Sequence, residues 1–245
     1  MNKLEAVGLF IILELLFNIT VFIINMIWGI FFESNNQIYT IAGLADCITL
    51  LLVWLFTYTK KKRLINNGAL RKISFKKIIY ISLIGLIGSI FVSQLTSILI
   101  HIFPSYIEIK KQASNAIYSF PQLFSIIIIG PIYEEIIFRE YILGHMKYDN
   151  NLVGSIILQA ILFGLAHGNP VQFIYTSLIG IVFALIYLHY ESILGSITAH
   201  IVYNFSAAFI TPYLNISKSI SYIILLFGMI SLLYELIKAD YKKNI

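Results

Sequence analysis

The sequence predicts an all-α, polytopic membrane protein of about eight transmembrane helices in one bundle. Three observations predict it. Of the 245 residues, 59% are hydrophobic and only 12% charged, about half the charged share of an ordinary soluble domain. Mean hydropathy is +0.86. The apolar residues fall in continuous runs of about 20, the length that crosses a bilayer as a helix, not in the ten-residue alternations of a membrane barrel. A soluble globular enzyme is excluded, because so few charges cannot cover a water-facing surface. A disordered chain is excluded for the opposite reason, since it needs low hydrophobicity and high charge.

The runs cover roughly 6–32, 38–58, 78–103, 120–139, 153–168, 171–190, 192–211 and 219–237. The first is too long for a cleaved signal peptide, holds Glu14, Asn18 and Asn25, and ends at Phe31-Phe32-Glu33 without a small-residue cleavage site. There is no internal repeat and no low-complexity linker. Residues 1–116 carry three spans without a motif and include a basic loop at 59–77. Residues 117–212 hold the polar residues discussed below, and 213–245 supply a last span and a basic tail.

Charge patterning sets the orientation. The loop after the second span holds Lys60, Lys61, Lys62, Arg63, Arg71, Lys72, Lys76 and Lys77, which the positive-inside rule places in the cytoplasm. With eight spans both termini are then cytoplasmic. Thirteen of the 17 Lys and Arg residues fall inside, three outside (Lys110, Lys111 and Lys218), and Arg139 lies within a span. Topology therefore explains the net charge of +5, and no nucleic-acid partner is expected; the partner is the bilayer. Lipid-headgroup binding would put the basic loop on the same side. The single cysteine, Cys47, allows neither an intrachain disulfide nor a cysteine metal site.

An ionisable side chain inside a span is costly, so it should face the protein interior with a partner or a function. The fourth span carries Glu134, Glu135, Arg139 and Glu140, the fifth His167, and the seventh His200 and Asn204. Glu135 and Arg139 stand at i and i+4, one face of a helix, with the acid N-terminal. Glu134 points about 100° away, without a local partner, as a general base or metal ligand requires. Pro131 removes a backbone hydrogen bond just before the pair and should kink the helix. Phe163 and His167, and likewise His200 and Asn204, repeat the i, i+4 spacing. Each feature alone has a plain alternative: an ion pair at the membrane edge, a lone histidine bonded to a neighbouring helix, a polar pair joining two helices. Together they would be expensive as mere glue.

Such a set suits hydrolysis. Glu134 and His167 could activate a water, directly or on a metal. His200 and Asn204 could donate to the oxyanion of a tetrahedral intermediate. Glu134, His167 and His200 would also make an acceptable ligand set for Zn²⁺, and the sequence leaves metal-bound and metal-free water open.

At these residues the chain resembles a known family. Glu134 to Arg139 reads EEIIFR, similar to its EExxxR motif. Phe163 to His167 reads FGLAH, similar to FxxxH, and His200 to Asn204 reads HIVYN, a His followed four residues later by Asn. The family is that of the CPBP intramembrane proteases: type II CAAX prenyl proteases with the bacteriocin-processing and bacteriocin-immunity (Abi) proteins. The likeness covers roughly 117–210. It implies intramembrane endoproteolysis with water activation by Glu134 and His167. His200 and Asn204 would serve the oxyanion or a metal, and Glu135, Arg139 and Phe163 would support. It implies a metalloprotease classification, with Zn²⁺ as the candidate cofactor and a metal-free glutamate mechanism also argued. The motifs of site-2, rhomboid and presenilin-type proteases are missing.

The substrate expected is a membrane-associated or secreted peptide or protein entering from the membrane or the cytoplasmic side. Usage rich in Ile, Asn and Lys points to an AT-rich bacterial source and hence to the plasma membrane; such bacteria lack prenylated CaaX proteins, so that substrate is not carried over. Two other functions compete. One is a non-proteolytic bacteriocin-immunity or scaffold protein of the same fold; the other is a transporter using Glu134 and His167 as a proton relay. One strain remains. Counted from position 153, His167 lies about 21 Å into its span, and Glu134 only about 8 Å from an end near Arg139. An interfacial elbow over 140–156, with a later start to the fifth span, would bring the depths together.

Overall fold

The structure is a computed structural model that describes residues 1–32, 37–61, 63–146 and 151–217, together with positions 220, 223, 227 and 230. Among the described residues there are helices and no strands. Eight helices follow in order: α1 (Lys3–Phe31), α2 (Ile38–Thr59), α3 (Phe75–Ile102) and α4 (Tyr106–Ala116), then α5 (Phe120–Met146), α6 (Leu152–Leu165), α7 (Pro170–Tyr190) and α8 (Ile193–Phe209). Six of them, α1, α2, α3, α5, α7 and α8 with the turn that extends it, are long and apolar enough to cross a membrane. The chain is a multi-pass membrane protein. The eighth expected span, 219–237, lies outside the described residues apart from single positions.

Local chemistry fixes the helix ends. Asn2 and Glu5 form a capping box at the start of α1, where the Asn2 side chain accepts from the Glu5 N–H at 2.8 Å and the Glu5 carboxylate from the Asn2 N–H at 3.0 Å. Between α6 and α7 the run His167-Gly168-Asn169-Pro170 makes a sharp reversal. Gly168 takes a left-handed φ of 63°, Asn169 accepts from the Val171 and Gln172 N–H groups, and Pro170 fills the first helical position.

Two elements differ from expectation, and together they remove the depth strain. α6 has 14 residues and ends at Leu165, two residues before His167; its length of about 21 Å is short of the roughly 30 Å hydrocarbon layer. α5 does not stop near Arg139 but runs on to Met146. Glu134 is therefore 12 residues from that end, about 18 Å, close to the depth that α6 gives His167. The expected elbow over 140–156 is overturned: 140–146 is helix and α6 begins at Leu152. The fourth span runs past the expected end at 139 because Arg139 and Glu140, which interrupt the apolar run, are fully buried and lie mid-helix.

One end of the bundle collects the N-terminus, the 63–74 loop, the last turns of α5 and the α7–α8 turn. The Met1 amino group reaches the His145 carbonyl at 3.4 Å. Ile193 N–H donates to Ala69 O at 2.8 Å and Ser192 Oγ to Arg71 O at 2.7 Å. α1, α2 and α3 leave Ile11, Leu15, Phe22, Leu51, Trp54 and Ile87 exposed, as a lipid-facing surface requires. α4, rich in polar residues, was not anticipated; Tyr106 of α4 anchors it to α7 through the Tyr175 hydroxyl, 3.2 Å away.

Candidate active site

α5 carries the centre of the site, and its backbone is irregular where the charges lie. Ser125–Ile129 and Glu135–Leu143 wind as π-helix, a geometry frequent at functional sites. The first π segment has a readable cause. The Gly130 N–H bonds Ser125 O, five residues back, and Pro131 has no N–H to give. The Ile126 carbonyl is thus left without a helical donor. Asn204 Nδ2 on α8 supplies one at 2.8 Å. Pro131 does disturb the helix, as its sequence position suggests, and the disturbed carbonyl is where α8 is latched to α5.

Glu135 and Arg139, one turn apart, are both fully buried with 3.2 Å between Oε1 and the guanidinium. Arg139 also donates to the Gly180 carbonyl of α7 at 3.5 Å. Its guanidinium lies 4.2 Å from the Phe163 ring centroid and 5.5 Å from that of Phe183, so two aromatic faces take the cation on α6 and α7. Gly180 allows this, because a Cβ there would sit 2.9 Å from the Phe163 ring.

His200 stands between the two glutamates. Nδ1 lies 2.9 Å from Glu135 Oε1 and Nε2 lies 3.5 Å from Glu134 Oε2. Phe183 packs against the imidazole at 4.6 Å. The Nδ1 contact makes the carboxylate of Glu135 an orienting partner, as in carboxylate–histidine pairs elsewhere. Glu134, the less enclosed acid with 26% of its side chain exposed, faces open space. His167, at the end of α6, sets Nδ1 2.9 Å from the Phe163 carbonyl. A carbonyl only accepts, so Nδ1 carries the proton and Nε2 keeps a free lone pair. The rings of His167 and His200 both stand nearly perpendicular to that of Phe163, at 5.1 and 6.1 Å.

The structure thus brings Arg139, His167 and His200 around the Phe163 ring, with Glu135 on Arg139 and His200 and with Glu134 joined to the group through His200 Nε2. Asn204, expected beside His200 as a second donor, is turned to the Ile126 carbonyl and keeps one N–H for other use. Among the described residues no group of three or more His, Cys, Asp or Glu side chains is arranged to hold a metal ion. The expected set Glu134, His167 and His200 is not among such groups, although His200 holds Nδ1 on Glu135 and Nε2 3.5 Å from Glu134 Oε2, the posture of a ligating histidine with its carboxylate partner. Phe183 and Gly180 were not singled out in the sequence. They lie in an apolar helix where nothing marks them, and only their contacts with Arg139 and His200 give them a role.

At the far end of α5, Glu140 is fully buried and accepts three hydrogen bonds: from Asn66 N–H at 2.8 Å, Asn66 Nδ2 at 2.7 Å and the Tyr187 hydroxyl at 2.8 Å. This carboxylate pins the basic loop to the bundle.

A buried cluster of acids and imidazoles inside a helical bundle defines the class: a multi-pass membrane protein with ionisable groups enclosed among its helices. Comparison with known proteins agrees. Residues 116–206 match the family described as type II CAAX prenyl endopeptidase Rce1-like. A Bacillus subtilis (strain 168) protein, YdiL, named as a candidate membrane peptidase, is 32% identical over 77 residues, which cover 31% of this chain and 32% of that protein. The match therefore spans about a third of the curated relative. No solved structure matches the chain at a significant level.

Proposed function

We propose that this protein is an intramembrane endopeptidase that hydrolyses a peptide bond of a membrane-associated or secreted peptide. It would sit in the plasma membrane of a bacterium, with the N-terminus and basic loop on the cytoplasmic side. The observation that carries the reading is the placement of Glu134: a partly open carboxylate 3.5 Å from His200 Nε2, the imidazole being held by Glu135 and sharing the Phe163 ring with His167. The Rce1-like match over 116–206 supports the reaction class.

In this reading Glu134 takes a proton from water as the water oxygen adds to the scissile carbonyl. His200, oriented by Glu135, keeps Glu134 aimed at that water. His167 Nε2 accepts the proton and returns it to the leaving amine as the C–N bond breaks. The remaining N–H of Asn204 is the candidate donor to the oxyanion. The arrangement supports direct activation of water by the carboxylate, with no step through a metal.

The test is a comparison of membrane and secreted peptides from cells expressing the wild type or Glu134→Gln, by mass spectrometry, with protein level and folding matched. A peptide species present with the wild type and missing with the variant supports the enzyme. Identical peptide sets, with an unchanged phenotype, would point to a binding or immunity role.

A further inference from the structure

The first two helices carry no motif of the family, yet each brings an acid to the catalytic helix. α2 runs alongside α5 in the same direction. Gly43 of α2 meets Ser125 of α5 so closely that a Cβ at Gly43 would collide with the serine side chain. Three residues on, on the same face of α2, Asp46 Oδ2 lies 4.0 Å from where a Cβ of Gly130 would be. Gly130 and Glu134 are themselves four apart on α5, so Asp46 lies about one turn, roughly 5.4 Å along the axis, from the level of Glu134. α1 runs the other way. Its Phe10 meets Phe138 at 6.3 Å and its Phe17 stacks on Tyr133 at 6.1 Å. Glu14 lies between these two phenylalanines on α1, as Glu134 lies between Tyr133 and Phe138 on α5.

Asp46 is 92% buried, being 8% exposed, and has no hydrogen-bond or ion-pair partner among the described residues; nor has the Glu14 carboxylate. An independent orphan stands beside them. Thr49, one turn further along the same face of α2, is fully exposed to nothing but protein at 0% and its hydroxyl is unbonded. Extending the Gly43–Ser125 and Asp46–Gly130 pairing by one turn brings Thr49 to the level of Glu134. The charges that act on Glu134 are Asp46 from α2, Glu14 from α1, Glu135 and Arg139 from α5, with His200 facing it from α8. Arg139, the one permanent cation, already pairs with Glu135. The wall opposite His200 is left with uncompensated acids and an unused hydroxyl. Buried carboxylates are kept where something pairs with them.

We infer that this wall is a substrate subsite for a positive charge: Asp46, assisted by Thr49 and Glu14, binds a Lys or Arg side chain of the peptide to be cut. The inference rests on the endopeptidase reading and adds the substrate class. One helical turn corresponds to between one and two residues of an extended chain at about 3.3 Å per residue. The cation therefore lies one or two residues from the scissile bond.

The test uses the full-length protein in lipid nanodiscs. Client peptides found by the Glu134→Gln comparison are synthesised with Lys, Gln or Glu at the second residue on either side of the cut. The wild type should cleave the Lys peptide at least about tenfold more efficiently than the Gln peptide, about the value of one desolvated charge contact. Asp46→Asn should bring that ratio near one whatever the rate at which it cuts the Gln peptide, and Asp46→Lys should favour Glu. An unchanged Lys-to-Gln ratio in a folded Asp46→Asn protein overturns the subsite and assigns Asp46 to structure alone. Binding to the Glu134→Gln protein of an apolar membrane peptide carrying one central Lys, Gln or Glu gives a reading free of both cleavage and Asp46 folding. Equal binding of all three overturns the subsite. Preferential binding of the Lys peptide without cleavage by the wild type would keep the subsite and defeat the endopeptidase reading.

Discussion

Glu135, not Glu134, receives the Nδ1 contact of His200, at 2.9 Å. The two neighbouring acids therefore have different work. Glu135 is tied to Arg139 and to the imidazole in a fully enclosed position, while Glu134 meets only the other nitrogen and open space. Glu134→Gln keeps the shape and removes the base. It should lower kcat by about 10²–10⁴-fold with the midpoint of unfolding in detergent unchanged. A variant that retains wild-type turnover would remove Glu134 from the chemistry.

Breaking the Glu135–Arg139 pair should do the reverse. Arg139→Ala strands a fully buried carboxylate and empties the space between Phe163 and Phe183, at a cost of about 3–5 kcal/mol. Arg139→Lys should rescue little, because an ammonium cannot lie flat between two rings while reaching both Glu135 and the Gly180 carbonyl. Thermal unfolding in nanodiscs reads the loss, and activity should fall in step with folded protein. Normal stability of Arg139→Ala would mean that the pair does not hold α5 to α6 and α7.

These contrasts show what the sequence could and could not disclose. The i, i+4 spacing of Glu135 and Arg139 predicts their pairing, and the pairing is there. Long apolar runs predict α1, α2, α3, α5, α7 and α8, because lipid leaves a spanning segment no alternative to satisfying its backbone internally. The length of α6 was hidden, since its end is set by the Gly168-Asn169-Pro170 reversal inside an unbroken apolar stretch. The π turns of α5 were hidden too: they depend on α8 supplying Asn204 to a carbonyl that Pro131 leaves unbonded. Nor could spacing reveal that Glu14 and Asp46 approach Glu134. Their partners are 88 or more positions away in the chain, and only packing joins them.

Asn204 has two duties that a single substitution separates by degree. Asn204→Ala leaves the Ile126 carbonyl unbonded in the first π segment, worth about 1–3 kcal/mol of stability. It also removes the candidate oxyanion donor, for which about 10²–10³-fold in kcat is expected. Measured on protein that remains folded, kcat should fall by that factor with KM little changed. A loss confined to stability would make Asn204 only the latch between α5 and α8.

The Glu140 clamp should control the basic loop without touching chemistry. Glu140→Ala removes the acceptor of three hydrogen bonds, two from Asn66 and one from the Tyr187 hydroxyl, a loss of about 3 kcal/mol. Trypsin should then cut at Arg71 and Lys72 faster than in the wild type, because that segment would be held through fewer contacts, those of Glu191, Ser192 and Ile193 with Arg71 and Ala69. Unchanged proteolysis would show that the Ser192–Arg71 and Ile193–Ala69 bonds suffice.

Chelation tests how water is activated. A catalytic zinc site needs three protein ligands with an open fourth position. His200 has both nitrogens turned to carboxylates, at 2.9 and 3.5 Å, and His167 has one nitrogen on the Phe163 carbonyl. Among the described residues these donors are not arranged around one point that a metal could fill. Cleavage by the purified protein should therefore persist after dialysis against 1,10-phenanthroline, and adding zinc should not raise it. Elemental analysis should find no stoichiometric metal. Loss of activity on chelation that zinc restores, together with about one zinc per chain, would turn His200 Nε2 from Glu134 to the metal with Nδ1 still on Glu135, and would replace direct activation by Glu134 with activation at a metal.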